Sequence, residues 1–207
     1  MFITFEGGEG VGKSIQSKLL FEYLTSTGRK AITTREPGGT PTAENIRTLL
    51  LTGDSGKIEP LSESLLYLAA RAEHWLRKIK PALNSGITVI CDRFQDSSIV
   101  YQGMCKGVDI RLLNSIFIEF TNGESPKRTY LIDLDPEIGI SRALARKNNE
   151  ETRFEKMNMD FHKKVREGFL RLSRQDPRRF LTIDGSLSIQ EIHKLIVADI
   201  KNLIDVN

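Results

Sequence analysis

The stretch Gly7–Ser14 reads Gly-Gly-Glu-Gly-Val-Gly-Lys-Ser and matches the spacing G-x-x-x-x-G-K-[ST] of a phosphate-binding loop. Its surroundings match too, because the β-prone run Met1–Phe5 precedes it and the helically spaced apolar residues of Ile15–Thr25 follow it. A strand, a glycine-rich turn and a helix in this order direct backbone N–H groups and a helix N-terminus at an anion. We therefore predict a nucleoside-triphosphate site. A glycine-rich turn that only caps a helix is the alternative interpretation.

Two side chains of this loop carry the expected chemistry. Lys13 would bring a positive charge to the transferred phosphoryl group, and the Ser14 hydroxyl is the expected ligand of Mg²⁺. The glycines remove Cβ atoms that would keep the backbone from wrapping an anion.

Length and charge limit the possible classes of protein. With 207 residues, we expect one domain over residues 1–207. The formal net charge of +3 is too mild to indicate a nucleic-acid partner. Between Arg142 and Arg179, however, twelve basic and six acidic residues give a local net charge of +6. This excess indicates either a solvated helix face or a cover over an anionic substrate.

Cysteine content and hydropathy bear on localisation. Cys91 and Cys105 are the only cysteines, and their spacing matches no metal or redox motif. No apolar run reaches the length of a membrane span, and no membrane partner is expected. We therefore expect a cytoplasmic protein.

Five β-prone runs alternate with helical patterns, which predicts an α/β fold with a parallel sheet covered by helices on both faces. The longest predicted helix spans Leu61–Leu83, and Pro81 should kink or end it. The predicted strands are Phe2–Phe5, Lys30–Thr34, Ile87–Cys91, Thr129–Leu134 and Arg179–Ile183.

Charged residues follow four of these strands, where ligands of open parallel sheets bind. Asp92 and Arg93 come directly after the third strand. Asp92 is the expected ligand of Mg²⁺ or of its water, and Arg93 is expected to bind a phosphate with its planar guanidinium. The alternative is a helix-capping aspartate paired with an arginine. Arg35 and Arg47, around a Pro-Gly-Gly turn, are a second and weaker phosphate signal.

Tyr67 and Arg71 lie four residues apart, on one face of a predicted helix. An aromatic ring and a guanidinium can stack on a nucleobase and hydrogen-bond its edge. Spacing alone favours core packing with a solvated charge. The segment from Arg142 to Arg153 loses helical periodicity and carries arginines, as a phosphate-covering lid would; an exposed loop is the alternative.

Taken together, these motifs resemble the thymidylate kinase family of P-loop nucleoside monophosphate kinases. The resemblance covers FEGGEGVGKS, TREPGGTPTAENIR, LLYLAARAEH, DRFQDSSIVYQG and YLIDLDPEIG, in order, over most of the chain. It implies a three-layer fold with a five-stranded parallel sheet and a small mobile lid at about residues 142–156. It further implies ATP-dependent phosphorylation of dTMP to dTDP, a Mg²⁺ cofactor and a homodimer.

The resemblance also implies roles for individual residues. Glu9 would contact the sugar 3′-OH of dTMP, Tyr67 would stack on thymine, and Tyr101 would crowd a ribose 2′-OH. Arg35, Arg47 and Arg93 would bind the acceptor phosphate, whereas Arg71, Ser98 and Gln102 would read the base edge. The ATP-binding residues would be Gly7, Gly8, Glu9, Gly10, Val11, Gly12, Lys13 and Ser14.

One position separates two arrangements of the catalytic arginine in this family. Where some members have an arginine in the loop, this chain has Gly10, so it resembles the bacterial type that supplies the arginine from the lid. Arg142, Arg146 and Arg153 are the candidates. The predicted catalytic residues are Lys13, Arg93, Arg146 and Arg153.

The expected mechanism needs no general base, because a phosphate acceptor is already ionised at pH 7. The three histidines, His74, His162 and His193, are accordingly interpreted as structural or surface residues. One rival hypothesis is a kinase for another monophosphate or for a deoxynucleoside. The other is a nucleotide-driven switch or partitioning ATPase, although the sequence has no N-K-x-D guanine-reading motif.

Overall fold

A computed structural model describes residues 1–53, 56–145 and 153–205. Five parallel strands form one sheet, as the sequence predicts, and their order is β2-β3-β1-β4-β5. The strands are β1 (Phe2–Glu6), β2 (Ala31–Arg35), β3 (Thr88–Asp92), β4 (Arg128–Asp133) and β5 (Phe180–Asp184).

Nine α-helices and two π-helical segments, Trp75–Ile79 and Ile99–Cys105, occur among the described residues. None of the helices in these ranges is long and apolar enough to cross a membrane. The α-helices are α1 (Lys13–Ser26), α2 (Pro41–Leu51), α3 (Pro60–His74), α4 (Lys80–Asn84), α5 (Gln95–Ser98), α6 (Ile110–Thr121), α7 (Pro136–Leu144), α8 (Met159–Gln175) and α9 (Ile189–Asp205).

The helices cover both faces of the sheet, as predicted. On one face, Ile3 and Phe5 of β1 pack in a cluster with Leu20 of α1 and Ile196 of α9. On the other face, side chains of β1 and β3 pack against Trp75 and its neighbours. Because both faces are buried, the central strands are almost continuously apolar, whereas the edge strand β2 is partly exposed.

The predicted helix Leu61–Leu83 is divided into α3, the π-helical segment Trp75–Ile79 and α4. Pro81 is the second residue of α4, which follows the π-helical segment without a break. The regular α-helical pattern is interrupted just before the proline, as its missing N–H and bulky ring favour, and the helix continues past it to Asn84.

The sheet order brings the strand ends together at the site. β1 lies in the centre with β3 and β4 on either side, so the glycine-rich loop after β1 has a strand end on each flank. In the register, Arg35 of β2 lies opposite Asp92 of β3, and Asp92 lies opposite Phe5 of β1. The residues after β1, β2 and β3 therefore meet at one edge of the sheet.

Candidate active site

A cleft of about 1070 Å³ lies at the carboxyl ends of the strands. It is lined by most of the residues that the sequence predicts for the site. These are Glu9, Gly10, Val11, Gly12, Lys13, Ser14, Arg35, Arg47, Tyr67, Arg71, Asp92, Arg93, Ser98, Tyr101 and Gln102.

Of the remaining predicted residues, Gly7, Gly8 and Arg153 are not part of the cleft lining. Gly7 and Gly8 lie behind the loop and line a smaller pocket with residues of β4. Arg142 lines the cleft, and its Nη1 donates a hydrogen bond to the Gly185 carbonyl at 3.4 Å. The Arg153 side chain is buried outside the cleft, with 2% of its surface exposed. Arg146 lies outside the described residues.

The glycine-rich loop depends on backbone conformations that favour glycine. Gly7, Gly10 and Gly12 have φ angles of 133°, 68° and 100°. A Cβ on Gly10 would overlap the carbonyl oxygen of Gly139 in α7, so this position cannot carry an arginine without moving α7. The packing supports the expectation that any catalytic arginine comes from elsewhere.

Lys13 lies in the loop with its ammonium group directed at backbone carbonyls. Its Nζ donates to the Gly7 carbonyl at 3.2 Å and to the Gly8 carbonyl at 2.6 Å. Burial, together with the nearby charge of Arg93, lowers the pKa of Lys13 to about 8. A phosphate would favour the charged form and raise this pKa again.

Two hard oxygen donors lie side by side at the start of α1. Ser14 Oγ donates a hydrogen bond to Asp92 Oδ2 at 2.5 Å. Hydroxyl and carboxylate oxygens are the ligands that Mg²⁺ prefers, and this pair lies next to the phosphate-binding loop. The donor set therefore fits the predicted magnesium ion.

Arg93, Glu9 and Tyr101 form a polar cluster on the cleft wall. Arg93 Nη2 donates to Glu9 Oε1 at 2.9 Å, and the Tyr101 hydroxyl donates to the same oxygen at 2.8 Å. Burial would raise the pKa of the Glu9 carboxyl, but the charges of Arg93 and Lys13 and these hydrogen bonds outweigh it and lower the pKa to about 2. The Arg93 backbone has a φ of 68°, an uncommon conformation that clusters at functional sites.

Arg35 and Arg47 flank the turn at residues 36–39. Arg35 is half exposed and pairs with Glu44 at 3.2 Å, while Arg47 Nη1 donates to the Pro37 carbonyl at 2.7 Å. Both arginines line the cleft.

Arg71 is almost fully buried yet contributes to the cleft wall. Its Nη1 donates to Gln95 Oε1 at 2.9 Å and to Ser98 Oγ at 2.7 Å. Its Nη2 donates to the Phe94 carbonyl at 3.0 Å, and its Nε to Glu36 Oε2 at 2.5 Å. These acceptors fix the plane of the guanidinium group.

Gln102 is fixed by a second buried glutamate. Its Nε2 donates to Glu63 Oε1 at 3.1 Å, and Lys106 Nζ donates to the same oxygen at 2.6 Å. Because a carboxylate only accepts hydrogen bonds, the amide nitrogen of Gln102 is bound to Glu63 and the amide oxygen remains for other partners. Arg153 Nη2 lies 2.6 Å from Glu63 Oε2 as an ion pair without the alignment of a hydrogen bond.

Sequence reasoning missed several residues of the cleft. Glu36 lines it next to Arg35, and Phe154 lines it with its ring 5.4 Å from that of Tyr101. The segment 185–189 lines it as well. This segment follows β5 at the same edge of the sheet, so the strand-end argument applied to four strands could have been extended to the fifth.

Comparison with known proteins identifies relatives over nearly the whole chain. A model of the protein family described as Thymidylate kinase matches residues 5–196. Thymidylate kinase from Geotalea uraniireducens is 46% identical over 204 residues, which cover 95% of this chain and 94% of the relative. Thymidylate kinase from Symbiobacterium thermophilum is 46% identical over 206 residues, 99% of this chain and 92% of the relative.

A solved structure agrees with the sequence relatives. The crystal structure of thymidylate kinase from Ehrlichia chaffeensis is similar to this fold, with a TM-score of 0.79 and 35% sequence identity. The match covers 97% of this chain and 98% of that one.

Proposed function

The chain belongs to the thymidylate kinase family and phosphorylates dTMP to dTDP with ATP, and we propose that both nucleotides bind in the cleft described above. The observation that carries the proposal is that one cleft is lined both by the glycine-rich loop and by Arg35, Arg47 and Arg93. A phosphate-binding loop facing further cations suits a reaction between two phosphorylated substrates.

The donor nucleotide binds at the loop. Backbone N–H groups of residues 7–14 and the ammonium group of Lys13 bind the phosphates of ATP. Mg²⁺, held by Ser14 and Asp92, supplies positive charge to the phosphates when it is bound. The adenosine part lies against Arg142 and the segment 185–189, whose backbone and apolar side chains form the far wall of the cleft.

The acceptor phosphate binds to Arg35, Arg47 and Arg93. Arg93 is oriented by Glu9 and Tyr101, so its position does not depend on the substrate. Glu9 keeps its negative charge at neutral pH and remains an acceptor for a sugar hydroxyl. Tyr101, buried against Phe154, fills the space beside that hydroxyl.

The base is recognised by one donor and one acceptor. Arg71 can only donate hydrogen bonds, and Gln102 presents its amide oxygen because Glu63 accepts from its nitrogen. This pair is complementary to the 4-carbonyl and the N3–H of thymine. Cytosine carries an amino group at position 4 and an N3 that accepts, so its donor and acceptor are exchanged relative to thymine. Ser98 orients Arg71, and Tyr67 provides an aromatic wall.

Catalysis consists of positioning and charge stabilisation. The attacking phosphate oxygen is already ionised, so in-line placement and neutralisation of the transferring phosphoryl group are sufficient. Lys13, Arg93 and Arg146 supply that charge. The catalytic role of Arg153 stays a prediction, because its guanidinium is bound to Glu63 and to the Leu50 carbonyl outside the cleft.

The remaining proposals concern organisation. The chain acts as one domain over residues 1–207, and residues of about 142–156 close over the phosphates as a lid that excludes water. A homodimer would cover the apolar stripe of Leu61, Leu65 and Leu76, whose side chains are about half exposed. We further propose a cytoplasmic location, with which the two free cysteines of the chain, Cys91 and Cys105, are compatible.

The test is an ADP-release assay with ATP, Mg²⁺ and different acceptors. We expect fast turnover with dTMP, slower turnover with dUMP, and little with dCMP, which reverses the hydrogen-bond pattern of the base. Thymidine should not react, since it offers no phosphate to the arginines. Efficient turnover of dCMP would contradict the assignment of Arg71 and Gln102, whereas thymidine turnover would contradict the arginine clamp.

A further inference from the structure

The guanidinium group of Arg71 has almost no freedom left. Of its five N–H bonds, four have acceptors among the described residues: Glu36 Oε2, Gln95 Oε1, Ser98 Oγ and the Phe94 carbonyl. The fifth, on Nη2, is the one that a ligand in the cleft can accept. Because the guanidinium group is planar and rigid, the four acceptors that bind its other N–H groups also set the direction of this fifth N–H bond.

Glu36 is the only charged partner among these four acceptors, and it is itself fixed. Its Oε2 accepts from Arg71 Nε at 2.5 Å, and its Oε1 contacts His74 Nδ1 at 3.0 Å. Because the carboxylate has no proton to donate, Nδ1 carries the hydrogen. The second nitrogen, Nε2, is 2.7 Å from Thr34 Oγ1, which donates to it when the ring is neutral.

The same neighbourhood could be taken for a metal site. The donor atoms of Glu36, His74 and Cys91 lie close enough to one another to share an ion. Both oxygens of Glu36 and both nitrogens of His74 are already hydrogen-bonded, however, and Cys91 Sγ donates to the Arg93 carbonyl at 3.1 Å. The contacts therefore describe a closed hydrogen-bond network.

The network is also packed against the phosphate side of the cleft. A Cβ on Gly39 would overlap the imidazole of His74 and lie 2.7 Å from Thr34 Oγ1, so the turn at residues 36–39 rests directly on the ring. The same turn accepts a hydrogen bond from Arg47 through the Pro37 carbonyl. His74, although its side chain is fully buried, thus contacts the turn that carries Glu36.

We propose that Glu36 and His74 are positioning residues that set base specificity by fixing the orientation of Arg71. The turn at Gly39 and, to a smaller extent, Thr34 hold the imidazole, the imidazole fixes the carboxylate, and the carboxylate fixes the guanidinium. Loss of the Nδ1–H contact lets the carboxylate and the guanidinium rotate, which weakens the one hydrogen bond that favours a carbonyl on the base. The proposal rests on the assignment of Arg71 to base recognition made above.

The test compares two substitutions at His74 in the full-length enzyme. In His74→Asn, the amide nitrogen is as far from Cβ as Nδ1 is, so the contact with Glu36 can be kept. In His74→Gln, the amide group reaches instead toward the position of Nε2 and the Glu36 contact is lost. We expect His74→Gln to raise KM for dTMP about tenfold and to lower the preference for dTMP over dCMP, since a charge-assisted hydrogen bond is lost.

Three further measurements distinguish a positioning role of His74 from a purely structural role. KM for ATP and kcat with saturating dTMP should stay within about twofold of the parent enzyme, because the hydrogen-bond partners of His74 in the described part of the chain are Thr34 and Glu36, which lie outside the phosphate-binding loop. His74→Asn should restore most of the dTMP affinity. His193→Gln, in α9, is the matched control and should change nothing.

Different outcomes overturn different statements. If Arg71→Lys leaves the preference for dTMP over dCMP intact, the assignment of Arg71 itself is wrong. If Arg71→Lys abolishes that preference while His74→Gln keeps it, only the positioning role is wrong. Equal losses in His74→Asn and His74→Gln, with kcat and KM for ATP changed as well, would show a purely structural role. Zinc retained by the purified enzyme and lost in both His74 variants would overturn the hydrogen-bond network.

Discussion

Two buried glutamates, Glu36 and Glu63, hold the side chains that we propose to recognise the base, Arg71 and Gln102, and they differ in their other partners. Glu36 binds one cation, Arg71, and one imidazole. Glu63 binds Gln102, Lys106 and Arg153, and so lies between two full positive charges. Both carboxylates are almost completely buried, so each depends on its partners to offset desolvation.

The difference shows that a buried arginine–glutamate pair does not by itself indicate a ligand-binding arginine. Arg71 lines the cleft and has one N–H left for a ligand, whereas Arg153 does not line it and also donates to the Leu50 carbonyl. Glu63 connects α3 with the segment that ends at Lys106 and with the chain near residue 153. Its role is to join separate parts of the chain, while that of Glu36 is to orient one side chain.

The largest expected effect follows from the two cations of Glu63. Glu63→Gln leaves the buried Arg153 and the partly buried Lys106 beside a neutral amide, so we expect the free energy of unfolding to fall by about 3–5 kcal/mol. Urea unfolding followed by circular dichroism measures it. The control Glu167→Gln removes an exposed pair with Arg174 and should change stability by less than about 0.5 kcal/mol. Equal effects of the two substitutions would contradict the anchoring role.

Glu9 offers a comparison with a carboxylate that lies on the cleft surface. Its folded pKa of about 2 is below the ordinary value of 4.5, so its ion pair stabilises the fold fully above about pH 5 and ceases to do so as the pH falls toward 2. The quantity to follow is the free energy of unfolding of the parent enzyme minus that of Glu9→Gln. We expect this difference to be larger at pH 6 than near pH 2, by up to about 3 kcal/mol. Urea titrations of both proteins across this range measure it. A difference that stays constant with pH would contradict the lowered pKa.

Arg146 and Arg153, two of the three arginines predicted for the lid, extend the comparison to catalysis. Arg146→Met should lower kcat by at least about a hundredfold, with the free energy of unfolding unchanged, because an arginine that meets the transferring phosphoryl group acts in the transition state. Arg153→Met should mainly lower stability, since it leaves Glu63 with one cation fewer. Steady-state kinetics and urea unfolding of both variants measure the two effects. A larger loss of kcat in Arg153→Met would show that Arg153 leaves Glu63 during the reaction.

The fold and the loop were predictable because their signals are local. A glycine-rich turn between a strand and a helix is contiguous in sequence, and parallel strands bring their ends to one edge wherever the chain has strands and helices in alternation. Asp92 and Arg35 were found in this way. Arg71 was assigned to the site through the family resemblance, because spacing alone favoured core packing, and Gln102 was named from the resemblance alone.

The partners that orient these residues were not predictable. Glu36 and Arg71 are 35 residues apart, and His74 stands in the sequence as an isolated histidine within the predicted helix Leu61–Leu83. Arg153 was grouped with the other lid arginines by composition, whereas its burial depends on Glu63, which comes from α3. Buried ion pairs depend on tertiary contacts that leave no periodic signal in one sequence.

The smallest expected effect tests the far end of the Glu36 network. Thr34→Val removes the hydroxyl that donates to His74 Nε2 and leaves a buried acceptor unpaired, so we expect about 1 kcal/mol less stability. The imidazole would still be fixed by Glu36 and by the turn at Gly39, so KM for dTMP should rise only about twofold. Thr33→Val, on the exposed side of the same strand, is the matched control and should affect neither quantity. A rise in KM as large as that of His74→Gln would mean that Thr34, and not the packing of the turn, orients the imidazole.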